Sequence, residues 1–194
     1  MSRAEELEQI QEKKTLGFWI YLMTDCILFA ALFATFAVLR NATAGGEGGH
    51  ELFDMPFVLV ETMVLLTSSF TIGMALLASV RGLKKQTIVW LLVTFALGAT
   101  FLVMEVSEFA ALVVEGNGPQ RSAFLSAFFV LVATHGLHIA TGLLWMTVVI
   151  IRLIRHNFKK TDLNRLALLG LFWHFLDIVW IFIFSFVYLI GGLA

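Results

Sequence analysis

The stretch AFLSAFFVLVATHGLHIATGLLWMTVVII, Ala123–Ile151, is apolar over a length that no soluble helix needs. It is interrupted only by two histidines, His135 and His138, and a few small residues. About 20 mostly apolar residues suffice to cross a bilayer, so this segment is a membrane helix. Four more segments qualify outward from it: Phe18–Leu39, Phe57–Ser79, Ile88–Val114 and Leu166–Ile190. The expected fold is an all-α integral membrane protein, a bundle of five transmembrane helices. Residues 1–17 form a tail, and residues 18–194 a single five-helix membrane domain.

Composition agrees. Hydrophobic residues make up 59% of the 194 and charged residues 14%, too little charge to coat a soluble domain. A net charge of −1 predicts no nucleic-acid partner. Cys26 is the single cysteine, so no internal disulfide forms. MSRAEELEQIQEKKTLG, residues 1–17, has no apolar centre and predicts no cleavable signal peptide. Leu7 and Ile10 would share one face if the tail were helical, but Glu5, Glu6, Glu8 and Glu12 suit water or a partner better than an anionic bilayer.

Orientation follows from the basic residues. Arg3, Lys13, Lys14, Arg81, Lys84, Lys85, Arg152, Arg155, Lys159, Lys160 and Arg165 fall on one side, and only Arg40 and Arg121 on the other. The split predicts a cytoplasmic N-terminus and a periplasmic C-terminus. Trp19, Trp90 and Trp145 then sit near the inner ends of their spans, and Tyr188 near the outer end, as interfacial aromatic belts would. Asn41–Pro56 is rich in glycine and reads as a flexible connection holding an ordinary loop histidine, His50; His156 is another. Gly118-Pro119 reads as a turn, with Ser122 capping the fourth span.

Eight ionisable residues fall within or near the spans: Asp25, Glu61, Glu105, Glu108, His135, His138, His174 and Asp177. A central Asp costs about 2.5–3.5 kcal/mol on insertion scales, so these residues should face the bundle, a partner or a water pocket. Six of them form i,i+3 pairs: Glu105 with Glu108, His135 with His138, His174 with Asp177. Residues three apart share a helix face, so three helices should each present a two-residue polar patch. Three readings remain open from the residues alone. A metal site would use the right ligand types, but a di-iron site wants Glu-x-x-His on two helices, and haem histidines normally come from facing helices. A proton or ion path would use chains of Asp, Glu and His. Hydrogen bonding that fixes helix packing is favoured by the small neighbours Gly136, Ala140, Thr141 and Gly142.

LGFWIYLMTDCILFAALFATFAVL (Leu16–Leu39), MEVSEF (Met104–Phe109), GPQRSAFLSAFFVLVATHGLHIATG (Gly118–Gly142) and FWHFLDIVWIFIFSFVYLIGG (Phe172–Gly192) together resemble subunit III of the haem-copper terminal oxidases. The resemblance runs in order over all but the first 15 or so residues. FWIYLMTDCILF and GPQRSAFLSAFF are most similar to the short form found in bacterial cytochrome o ubiquinol oxidases. Seven-span family members carry two further N-terminal helices, which this chain lacks as the short form does.

The resemblance implies a non-catalytic subunit of a proton-translocating ubiquinol oxidase in the bacterial inner membrane, with no catalytic, cofactor-binding or metal residue of its own. It implies haems b and o, copper and ubiquinol in subunit I, contacts with subunits I, II and IV, and bound phospholipid. It also implies support of assembly and stability, and a proposed part in an oxygen or proton route. Asp25 matches an intramembrane acid that is usually Glu in cytochrome c oxidases, and Glu108 a family acid. Glu105 stands where the family often has Gln, so no charge is required there. His135, His138, His174 and Asp177 match the family's His-Gly-Leu-His and Trp-His-Phe-x-Asp motifs, which makes them polar packing elements. The alternative from another class is a self-sufficient proton or ion transporter that uses the same acids.

Overall fold

A computed structural model describes residues 3–45, 54–156 and 160–190, with side chains from residue 9 on except those of residues 10, 11 and 160. The face expected of Leu7 and Ile10, the loop placement of His50, residues 46–53 of the glycine-rich connection and Lys159 lie outside what is described.

The described residues form helices and connecting turns, with no strand. They are α1 (Arg3–Leu39), α2 (Met55–Val80), α3 (Lys84–Val114), α4 (Ala123–Arg155) and α5 (Lys160–Ile183), which runs on into a turn of π-helix, Phe184–Leu189. All five are long and apolar enough to cross a membrane, as the sequence predicts. They outrun the expected spans because the backbone stays helical into the charged flanks. The tail is continuous with the first span: α1 has 37 residues, roughly 55 Å at 1.5 Å per residue, against about 30 Å of hydrocarbon.

Local chemistry sets the helix ends. Asp54 caps α2, accepting from the Phe57 N–H at 3.4 Å, and Pro56 occupies the first turn, where no N–H is needed. Ser122 caps α4 by accepting from the Leu125 N–H at 3.1 Å, as expected. The preceding turn is closed by Arg121 N–H to Gly118 C=O at 3.1 Å and by Ser126 Oγ donating to the Pro119 carbonyl. α2 and α3 end in the same way. Gly82 and Gly116 take φ of +72° and +83°. Leu83 N–H then reaches Ala78 C=O at 3.0 Å, and Asn117 N–H reaches Leu112 C=O at 2.8 Å. This is the Schellman stop, in which the left-handed residue is glycine because it has no Cβ to clash.

α2, α3, α4 and α5 pack in a ring, each on the next, with α5 closing back on α2. α1 lies outside the ring against α4 and α5. α5 is the most enclosed helix and α1 the least. Trp173 and Trp180, seven residues and about two turns apart on α5, are fully buried. Their indole N–H groups donate to Ser68 Oγ at 3.0 Å and Thr62 Oγ1 at 3.1 Å on antiparallel α2. Thr71 of α2 and Thr94 of α3 share a hydrogen bond of 2.8 Å. Such bonds matter in a membrane because water expulsion no longer drives helices together.

Gly98 of α3 and Gly142 of α4 admit the Trp173 ring; a Cβ on Gly98 would lie 2.7 Å from it. At the end with the basic loops, Arg152 Nε pairs with Asp162 Oδ1 at 2.7 Å, Arg165 approaches the same oxygen at 3.8 Å, and Lys84 Nζ donates to the His156 carbonyl at 3.0 Å.

Candidate functional site

The intramembrane ionisable residues gather in three places. The first joins α1 to α4. Asp25 Oδ2 lies 3.6 Å from His138 Nε2, and His138 Nδ1 lies 2.7 Å from the Thr134 carbonyl. A carbonyl only accepts, so Nδ1 carries a proton and Nε2 is the atom turned to the acid. Phe29 packs beside the pair, its ring centroid 5.2 Å from that of His138.

The second joins α2 to α5 near mid-helix. Ser69 Oγ lies 2.8 Å from His174 Nδ1, and Asp177 Oδ2 lies 3.7 Å from the same nitrogen. Asp177 is buried, whereas the His174 side chain is 41% exposed. Both neighbours meet one ring nitrogen, so this is not the relay of a hydrolase, in which the acid and the hydroxyl must hold opposite nitrogens.

The third lies toward the end opposite the basic loops. Glu61 of α2 and Glu105 and Glu108 of α3 are near enough to interact electrostatically. Tyr188, on the π-helical turn, donates its hydroxyl to Glu108 Oε2 at 2.9 Å. Glu61 and Glu105 are buried, and Glu105 lies directly over Gly136, where a Cβ would overlap its carboxyl oxygen. Asp54, Ser107, Glu108 and Glu115 line a shallow acidic cavity at this end.

His135 and His138 lie 60° apart on α4, and both rings pack on Phe29 of α1, their centroids 6.4 and 5.2 Å from its ring. Their polar surroundings differ. His138 turns to Asp25. His135 is fully buried as an aromatic disc, with ring centroids 5.2 Å from Trp180 and 5.9 Å from Phe101. Tyr188 is not an interfacial belt residue but is fully buried against Phe128 and Trp180. Its hydroxyl finds Glu108 inside the bundle, so the polar tip needs no water. The other two pairs converge as their spacing predicts. Among the small residues beside the histidines, Gly136 and Gly142 admit side chains, whereas Thr141 is exposed.

Sequence reasoning missed Ser69, Thr62 and Ser68 as partners. A hydroxyl in an apolar helix usually bonds its own backbone, so nothing in the sequence marks the ones that reach across. Among the described residues, no group of three or more His, Cys, Asp or Glu side chains is arranged to hold a metal ion.

The profile of the family described as cytochrome c oxidase subunit III matches residues 4–192. The chain is 56% identical to cytochrome bo(3) ubiquinol oxidase subunit 3 of Pseudomonas aeruginosa, over 91% of this chain and 85% of that one. It is 46% identical to quinol oxidase subunit 3 of Bacillus subtilis, over 91% and 86%. It is 44% identical to cytochrome c oxidase subunit 3 of Bacillus sp. strain PS3, over 93% and 87%. Five membrane-crossing helices and bacterial relatives make it a multi-pass protein of the inner membrane. With the profile matching residues 4–192 and these identities over nine-tenths of its length, the chain belongs to the subunit III family of the cytochrome oxidases.

Proposed function

We propose that this chain is the non-catalytic subunit III of a proton-translocating ubiquinol oxidase in an aerobic respiratory chain. It supports the assembly, lipid content and stability of a catalytic subunit I, with subunits II and IV as further partners. Haems b and o, copper and ubiquinol belong to subunit I on this reading. The observation that carries it is the 56% identity to a bo(3) ubiquinol oxidase subunit 3. The likeness favours this reading over a self-sufficient transporter.

The geometry agrees. His138 Nδ1 is committed to the Thr134 carbonyl and His174 Nδ1 to Ser69, while His135 is stacked among aromatic rings. These are the contacts of packing histidines. The 44% identity to a subunit named for cytochrome c oxidase supports a choice of electron donor made outside this chain. Two cavities suit lipid. One of about 410 Å³ between α1 and the end of α5 is lined by Ala30, Phe33, Ala37, Phe182 and Phe186, with Arg40 at its rim. The other, about 660 Å³, sets Arg152, Arg155 and Arg165 above Trp145 and Val148. Each combines an apolar wall with a cation for an anionic headgroup.

The test is deletion of the chain from the oxidase in its native membrane. The expected outcome is a complex that keeps its haem spectrum but assembles poorly or loses activity faster during turnover; full assembly with an unchanged lifetime would refute the proposal. Asp25→Ala probes one candidate directly. It should leave haem content unchanged and shorten the lifetime under turnover, and an unaltered inactivation rate would remove Asp25 from the supporting role.

A further inference from the structure

The oxidisable rings of α5 stand in a line. Trp173 and Trp180 are seven residues apart, about 10 Å along the helix axis. A further step of seven would bring Val187 into that line. The Ile190 N–H instead bonds the Ser185 carbonyl, five residues back, at 3.1 Å. This wider π-helical turn takes up one extra residue. Tyr188 therefore follows Trp180, their ring centroids 6.2 Å apart. Phe101 packs on Trp180 at 4.7 Å and Phe128 on Tyr188 at 5.8 Å. All three oxidisable rings are fully buried. At the other end of the line, Trp145 of α4 is only partly buried and lies 6.0 Å from the ring of Phe172, the neighbour of Trp173. Phe172 and Trp173 both close on Gly142.

The polar tips of these rings are not equivalent. The Trp173 and Trp180 N–H groups donate to the hydroxyls of Ser68 and Thr62. Those hydroxyls are themselves donors to the Leu65 and Val58 carbonyls. A hydroxyl is too weak a base to take an indole proton. The Tyr188 hydroxyl donates to a carboxyl oxygen, Glu108 Oε2, at 2.9 Å, and a carboxylate can accept a proton outright. Loss of an electron makes a phenol strongly acidic. Tyr188 is thus the one ring in the line that can be oxidised and shed its proton along a bond already in place.

We propose that Tyr188 and Glu108 form a proton-coupled redox pair, and that Trp173 and Trp180 carry to it the oxidising equivalent of oxygen-derived radicals that strike Trp145. A lipid peroxyl radical takes one electron from Trp145 and one proton from interfacial water, and becomes a hydroperoxide. Trp173 refills Trp145, Trp180 refills Trp173, and Tyr188 refills Trp180, one electron at each step. The phenolic proton passes to the Glu108 carboxylate. A neutral tyrosyl radical and a carboxylic acid are left in the core, away from lipid. The proposal rests on the oxidase reading only for the source of oxygen-derived radicals; its chemistry belongs to this chain.

The test uses the full chain in lipid nanodiscs. A ruthenium photosensitiser is coupled to Cys26, the single cysteine, which is exposed, and persulfate serves as the final electron acceptor. Electron paramagnetic resonance after a flash identifies the radical. The chain has two tyrosines, and Tyr21 is at the surface, so in Tyr21→Phe any tyrosyl radical is at Tyr188. A tyrosyl signal should persist there, and its absence would overturn the proposal. In the same background Glu108→Gln should slow tyrosyl formation by about 100-fold, the order contributed by a positioned proton acceptor, and Glu108→Asp should restore part of the rate. Equal rates with Gln would remove Glu108 from the pair. Should Glu108→Gln not fold, the Tyr21→Phe chain still decides: tyrosyl formation should be slower in deuterium oxide, and an unchanged rate would count against proton coupling. Trp180→Phe should lower the Tyr188 yield, and an equal yield would refute delivery along α5. With a lipid-soluble azo initiator in place of the sensitiser, peroxyl radicals made in the bilayer should give the same tyrosyl signal; none would refute entry from the surface. These outcomes leave the oxidase reading untouched, which stands or falls on co-purification with haem.

Discussion

Glu105 and Gly136 show how single positions are chosen in this bundle. The central glycine of His-Gly-Leu-His is there because the Glu105 carboxyl occupies the place of its Cβ. Gly98 does the same for Trp173, with a stiffer occupant. The indole is fully buried and tethered through its N–H to Ser68, so it cannot swing aside, whereas the end of a glutamate can. Overpacking a buried site typically costs 1–3 kcal/mol. Gly98→Ala should therefore destabilise the protein by about 2 kcal/mol, net of the better helix propensity of alanine. Gly136→Ala should cost less, and Glu105→Ala in the same chain should recover part of that cost. Unfolding of the purified protein in mild detergent reads both, and a larger loss for Gly136→Ala would show that the Glu105 side chain has no room to move.

Helices here are stopped by their own sequence rather than by what surrounds them. α2 and α3 end at Gly82 and Gly116, both with positive φ and both followed by the six-residue hydrogen bond that closes the last turn. A residue with a Cβ in that conformation pays about 1–2 kcal/mol. Gly82→Ala and Gly116→Ala should each lower stability by about that amount while leaving helix content unchanged. Circular dichroism with thermal unfolding checks both parts; an unchanged midpoint would mean that the turns are held by tertiary contacts instead. The π-helical turn at Phe184–Leu189 is a different case. It rotates Tyr188 inward to Glu108, and no feature of FSFVYL marks such a turn in advance. The i,i+3 patches were legible because residues three apart share a helix face whatever packs on it; which acid, hydroxyl or ring each member meets was not.

At the scale of the whole molecule, the basic loops predict a topology. Eleven of the 13 Lys and Arg residues fall in the tail and the two loops that the sequence assigns to one side, and the Arg152–Asp162–Arg165 cluster ties that end of the bundle together. Cys26 is the only cysteine, so a Cys26→Ser background permits single-site labelling. Gln86→Cys, beside Lys84 and Lys85, and Gln120→Cys, beside Arg121, lie at opposite ends, and both positions are exposed. A membrane-impermeant thiol reagent added to intact spheroplasts should label Gln120→Cys, and should label Gln86→Cys only after permeabilisation. The reverse pattern would invert the topology.

Five helices, the Ser122 cap, the turn at Gly118-Pro119 and the family were all legible along the chain. These depend on hydropathy, on backbone conformation within a few residues and on motif order, all of which are local along the chain. Packing between helices set Tyr188 against Glu108, gave His138 an acid and His135 aromatic rings, and brought Ser69 rather than another hydroxyl to His174. A helix presents side chains in every direction at 100° intervals, and which direction is bundle, partner or lipid depends on where the other helices lie. In a chain that is apolar nearly all round, no amphipathic stripe reports that choice.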